Sequence, residues 1–274
     1  TTHNLRHFVL FLYSNVLTGK RHGFKYNLTK KNKMERPKVS ALLRAYNNPL
    51  VVDLIRNIAD ENIVDDFVVV INADKDTIGT KDLLSQSVYA SRVKALPINN
   101  YGWSRALNAG LAAMPEMVNG NELVLCISNE VSLARREFED NQRVLFSHDE
   151  ALMSYVLFKG RDEPSYCLPR NTCGLWKRAR LLELGDFLEE LDQKQGMEDV
   201  EMVLRGYQQG KWLPYLGATD LSITVKQDVE TKTKKEWETI MGINQLYTPE
   251  TLKAVYSHIQ AENKAKGRET RFGY

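Results

Sequence analysis

The chain has 274 residues, 43% apolar and 26% charged, with a formal net charge of +2. That length suits one large α/β domain with additions, or two small domains, and the composition is that of a soluble globular protein, not a disordered chain. Charge is uneven: residues 1–36 hold eight Lys/Arg against Glu35 alone, so the remainder carries 29 basic and 34 acidic groups.

The basic front suits an anionic membrane surface, a phosphate-bearing acceptor or nucleic acid. A solvated extension is its simpler reading, and nucleic acid is not expected as a partner. Phe8–Tyr13 is far shorter than the ~20 apolar residues of a spanning helix, and no small-residue cleavage site follows it. Asn27-Leu28-Thr29 matches a glycosylation sequon, read as chance without a secretion signal. Residues 1–36 are therefore taken as an extension, 37–217 as the main domain and 218–274 as a helical C-terminal extension.

From Pro37 strands and helices alternate. Val39–Leu43 reads as a compact strand ending at Arg44-Ala45-Tyr46-Asn47-Asn48. Pro49 suits the first turn of a helix whose apolar stripe is Leu50, Leu54, Ile55 and Ile58. Phe67–Ile71, β-branched and apolar on both faces, reads as a central parallel strand running into Asn72-Ala73-Asp74. Val93–Leu96 is a third strand, followed by Asn99-Asn100-Tyr101-Gly102 and a helix over Trp103–Met114. Leu123–Ile127 then runs into Ser128-Asn129-Glu130-Val131. This order predicts a parallel sheet with ligands at the carboxyl ends of its strands. Asn47, Asn72, Asp74, Asn100 and Glu130 should converge there.

Beyond residue 131 the pattern predicts a helix around Glu150–Phe158 and another over Lys177–Leu184. An amphipathic helix opens with Glu198-Asp199 and carries Arg205. A short alternating run covers Leu221–Val225, before the highly charged stretch Lys232–Glu238. Thr248 caps a final helix with Pro249 at its first position and Leu252, Val255, Tyr256 and Ile259 on one face. Cys126 reads as a buried thiol, and Cys167 and Cys173 are spaced so that they could pair. Three cysteines without a zinc spacing fit a reducing cytoplasm.

Five segments, spanning roughly residues 38–217, occur in an order that resembles the family-2 glycosyltransferases of the GT-A fold. They are Arg44-Ala45-Tyr46-Asn47, Val69–Asp74, Asn100–Gly110, Ser128–Val131 and Glu198–Glu201 with Arg205. In that family the fourth segment is an Asp-x-Asp motif; here Ser128 takes the place of its first acid. Asn72 stands where an acid typically reads the base. The resemblance implies an α/β GT-A fold, a mostly parallel central sheet flanked by helices, and transfer of a sugar from a nucleotide diphosphate sugar to a hydroxyl acceptor with inversion.

The same resemblance implies Asp199 as general base with Glu198 beside it, and donor contacts from Ala45, Asn47, Asn72, Asp74, Arg105 and Asn129. It implies Glu130 as partner of Mg²⁺ or Mn²⁺ bridging the diphosphate. Trp176 is the candidate acceptor contact, Trp103 being read as core. The expected acceptor is a saccharide or a lipid-linked acceptor, and the expected location is the cytoplasm, at the inner face of the membrane if residues 1–36 make a peripheral contact. The final helix leaves room for a homodimer. The alternatives are a catalytically lapsed nucleotide-sugar-binding or scaffold protein of the same fold, and a nucleotidyltransferase. The latter wants a Gly-rich loop after the first strand, where this chain has none.

Overall fold

A computed structural model of the chain describes residues 36–268, except 100–101, 159–166, 195, 220 and 223–228. Most of the basic front, with its sequon, lies outside the described residues, as do Asn100, Tyr101 and most of the Leu221–Val225 run. The strands are β1 Val39–Ala45, β2 Asp66–Asn72, β3 Val93–Ile98, β4 Leu123–Ile127, β5 Ala151–Tyr155, β6 Cys173–Lys177 and β7 Leu213–Leu216. The helices are α1 Leu50–Asp60, α2 Thr80–Ser85, α3 Trp103–Ala113, α4 Arg135–Ser147, α5 Arg178–Leu184, α6 Glu198–Gly210, α7 Val229–Asn244 and α8 Pro249–Ala265. No described helix is long and apolar enough to cross a membrane.

The strands form a seven-stranded sheet in the order β3-β2-β1-β4-β6-β5-β7. β6 is antiparallel to both of its neighbours, and every other pairing is parallel. Alternation along β1 sends Leu42 to one face of the sheet and Ala41 and Leu43 to the other. On Leu42's side pack Ala106 and Leu107 of α3, Val200 and Val203 of α6, and Val255, Tyr256 and Ile259 of α8. On the opposite side pack Leu54, Ile55 and Ile58 of α1 and Phe138 and Leu145 of α4. Covering both faces is what a mostly parallel sheet requires.

Two elements differ from the sequence expectation. Glu150–Phe158 is not a helix but contains β5. Every residue from Ala151 to Phe158 is at most 2% exposed, so the segment has no polar face, and a strand inside the sheet buries both sides. The helix of this region lies earlier, in the charged segment Arg135–Ser147, and buries Phe138, Asn141 and Leu145 at helical spacing. The stripe of α1 also shifts: Leu50 is 38% exposed, and Val51 joins Leu54, Ile55 and Ile58 in the core. Cys167 and Cys173 do not pair; all three cysteines are buried and none forms a disulfide.

The helices after residue 217 complete the same core. His258 Nε2 lies 2.7 Å from the Pro214 carbonyl, and Glu262 accepts from Leu216 N at 2.9 Å, fastening α8 to β7. Asn263 is fully buried; its Nδ2 donates to the Cys167 carbonyl at 2.8 Å, and its Oδ1 accepts from Tyr155 Oη at 3.1 Å. Asn263→Ala should therefore lower the unfolding free energy by roughly 1–3 kcal/mol, the cost of stranding buried polar partners. A urea titration of the full chain measures it.

Candidate functional site

β2 and β3 lie on one side of β1 and β4 on the other, so the sheet changes winding direction between β1 and β4. Loops leaving such a point diverge and open a crevice. A cavity of about 180 Å³ occupies it. Arg44 and Tyr46 line it from the end of β1, and Ser128, Asn129 and Glu130 from the end of β4. Gly102 and Trp103 enter at the start of α3, and Asp192 from the 3-10 turn Glu189–Lys194. With its amide oriented to satisfy its neighbours, Asn129 donates to both Glu130 carboxylate oxygens at 3.2 Å and accepts from Asn48 Nδ2 at 3.1 Å.

The start of α3 is held by a segment more than eighty residues away. Asp192 accepts from Ser104 N at 2.5 Å and from Arg105 N at 3.2 Å, supplying the cap that Gly102 has no side chain to give. A Cβ on Gly102 would collide with the Asp192 carboxylate, so glycine there permits the approach. Glu189 takes the Arg105 guanidinium at 2.9 and 3.0 Å. Asn108 exchanges two bonds with the Phe187 backbone, at 2.9 and 2.8 Å. Gly110 lets α3 press onto Leu42 of β1. The Asn-Ala-Gly of the third motif thus serves packing.

Glu198 and Asp199 open α6 behind the cavity. Gly196 and Met197 precede them with φ of 87° and 73°, and a left-handed methionine is a strained conformation that surrounding packing must enforce. Glu198 pairs with Arg44 Nη1 at 3.2 Å, both side chains buried, while the Arg44 guanidinium carbon lies 4.2 Å from the Trp103 ring centre. Asp199 is 2% exposed. It accepts from Asn171 N at 2.8 Å and Val200 N at 2.9 Å, and faces Arg170 Nε at 3.3 Å. Burial and the neighbouring Glu198 push its pKa up to about 6, against the opposing pull of Arg170 and the two amides. Burial works against the Arg170 charge, but Asp199 and Glu236 together hold its pKa above the usual arginine value.

The expected site residues are distributed unevenly around this cavity. Glu130 and Asn129 line it, and Glu198 touches its wall through Arg44. Asn47, at φ 45°, turns away to accept from Thr77 N and Oγ1 at 3.0 Å each. Asn72 is buried at the end of β2, and its Oδ1 has no donor among the described residues. Asp74 is exposed in the turn beyond. Ala45 is buried in the core, so its neighbours Arg44 and Tyr46 are the ones that reach the cavity. Trp176 cannot meet an acceptor: it is 0% exposed, donating to Asn171 Oδ1 at 2.9 Å and packing edge-on against Phe187. Trp103, read as core, is instead 46% exposed at the cavity.

Arg44, Trp103 and Asp192 are thus the residues that sequence reasoning passed over. A charged residue closing an otherwise apolar strand was the available signal for Arg44. Among the described residues no group of three His, Cys, Asp or Glu side chains is placed to hold a metal ion.

No protein-family model matches the chain, and no curated protein matches it in sequence. Its fold is similar to the crystal structure of S. aureus TarS 1–349, with a TM-score of 0.54 and 14% identity over 83% of this chain and 72% of that one. The same TarS fragment in complex with UDP matches with a TM-score of 0.50, again at 14% identity and the same coverage. The architecture is GT-A-like: a mostly parallel central sheet flanked by helices.

Asp192→Ala should destabilise the chain by about 1 kcal/mol, as loss of a helix cap does. It should also speed amide hydrogen exchange at Ser104 and Arg105 while leaving amides at the far end of α3 unchanged.

Proposed function

We propose that this chain is a glycosyltransferase of family-2 type, moving a sugar from a nucleotide diphosphate sugar to a hydroxyl acceptor with inversion. The observation that carries the reading is adjacency. A polar and aromatic cavity sits where the sheet changes winding direction, and its Arg44 wall is ion-paired to a buried Glu198-Asp199 pair. The likeness of fold to a protein that binds UDP supports a nucleotide as the occupant.

In this reading Tyr46 and Trp103 offer aromatic faces to the donor, and the orphaned Asn72 Oδ1 accepts from an N–H of the base. The acceptor hydroxyl attacks the anomeric carbon from the face opposite the diphosphate. Its proton passes to an Asp199 oxygen, and the diphosphate leaves with the electrons of the broken carbon–oxygen bond. A carboxyl that ionises near pH 6 is charged at neutral pH yet more basic than an ordinary aspartate, which suits a general base.

The cavity lining holds one cationic side chain, Arg44, against two carboxylates, Glu130 and Asp192, and Asp192 is committed to α3. That donor set does not preform a cage for a free metal ion. It fits a Mg²⁺ or Mn²⁺ that arrives with the nucleotide, keeps several waters and takes Glu130 as its protein ligand. Such an ion would relieve charge on the departing diphosphate.

A second reading, a lapsed enzyme that only binds nucleotide sugars, is favoured by the burial of Asp199 and by the donors already facing its carboxylate. Thermal shift with UDP, with and without Mg²⁺, followed by donor hydrolysis and transfer assays, separates the two. Binding with turnover supports the enzyme, binding without turnover the lapsed form, and no shift with UDP, GDP, CDP or dTDP removes both.

If the enzyme reading holds, Asp199→Asn should lower turnover about 10²–10⁴-fold with nucleotide binding intact. In the unaltered chain, kcat/KM for the donor, which reports the ligand-free protein, should rise with pH through a limb near 6, because the carboxylate must shed its proton before it can accept another. A pH–rate profile shows both the position of that limb and its loss in the variant.

A further inference from the structure

Behind the cavity the charges form a continuous buried run. Arg44 meets Glu198 at 3.2 Å, Glu198 adjoins Asp199 in the chain, Asp199 faces Arg170 at 3.3 Å, and Arg170 faces Glu236 of α7 at 3.4 Å. Two guanidinium groups thus stand among three carboxylates, so the fully ionised run carries one net negative charge. The positive end of α6 partly offsets it. The thiols of Cys126 and Cys173 lie in the same part of the sheet and stay neutral, burial pushing each up to about 12. Shielded from water, each charge in the run strongly sets the proton affinity of the next.

Arg44 is the member of this run that lines the cavity; Glu198, Asp199, Arg170 and Glu236 do not. We propose that Arg44 is a positioning residue that couples occupancy of the cavity to Asp199. An anionic ligand shares the guanidinium's charge, and Glu198, less well compensated, makes Asp199 the stronger proton acceptor. The proposal rests on reading the cavity as a nucleotide diphosphate site. Its direction follows from signs: the Glu198 carboxylate favours a proton on Asp199, and Arg44 is what holds that carboxylate neutralised. No covalent bond changes in this step; the equilibrium of one solvent proton with the Asp199 carboxylate shifts. The base then reaches full strength only once the donor is seated, so an acceptor entering an empty protein meets a weaker one.

The test uses the full chain carrying carboxyl-¹³C aspartate, with the Asp199 signal assigned by its loss in Asp199→Asn. The signal is titrated without ligand and with saturating UDP and Mg²⁺. In the unaltered chain UDP should raise the midpoint by about one pH unit, the size expected when a neighbouring charge is withdrawn. Arg44→Gln should start from a raised midpoint that UDP barely moves further, and Arg44→Lys should restore part of the UDP response. Glu198→Gln should lower the starting midpoint and abolish the response, and it decides the question if Arg44→Gln does not fold. An equal UDP response in the unaltered chain and in either glutamine variant overturns the coupling, because the ligand's field would then act directly. UDP binding with no response overturns the coupling and leaves the cavity assignment standing. Absence of binding by UDP, GDP, CDP and dTDP alike overturns both, and if another of these binds in place of UDP the titration is run with it.

Discussion

A guanidinium buried at the end of β1 must be neutralised where it stands, because an unpaired charge away from water costs several kcal/mol. Arg44 meets that demand with Glu198, 154 residues later in the chain. The constraint works in both directions. β1 cannot end as it does unless α6 begins within reach, and α6 cannot begin there unless Gly196 and Met197 hold left-handed backbone conformations. Much of the site follows from this one pair. It places the acidic pair behind the cavity and fixes the guanidinium against Trp103. It also puts Asp199 where the backbone N–H of Asn171 can meet it.

The reversed strand β6 supplies the other half of that arrangement. Because it runs against its neighbours, its first residue, Cys173, lies beside Ile127 at the carboxyl end of β4. The segment entering β6 therefore crosses the same sheet edge that the parallel strands leave. Arg170 and Asn171 reach Asp199 from there, and Thr172 accepts from Ser128 N at 2.9 Å. A wholly parallel sheet would have sent this segment to the opposite edge. The 3-10 turn Glu189–Lys194 is a third component, holding the start of α3 by its carboxylates.

The parts legible in the sequence are those decided locally. β1, β2 and β4 declare themselves by apolar runs that end in polar turns, and α8 by Thr248 with Pro249 and a regular stripe. β5 was not legible, because a short segment apolar on every side has no period to distinguish strand from helix. The Glu198-Asp199 pair stood out as two acids opening a helix. Its partners did not, since Arg44 and Arg170 are brought to it only by the folded sheet. Asp192 illustrates the same limit: a cap supplied from another part of the chain leaves no pattern beside the helix it caps. The two tryptophans were assigned the wrong way round for a related reason. Residue type gave them equal claim, and only position in the sheet separates Trp176, inside β6, from Trp103, at the mouth of the cavity.

The three cysteines have a consequence of a different kind. Cys126 and Cys173 sit on adjoining strands at the centre of the sheet, and Cys167 lies where its carbonyl receives Asn263 of α8. All are buried outside any disulfide, and burial keeps Cys126 and Cys173 from forming the reactive thiolate at neutral pH. The folded chain is thereby protected from alkylating reagents at its own centre. Each thiol becomes a natural reporter, silent until the strands around it part, so modification counts openings of the core and not events at the surface.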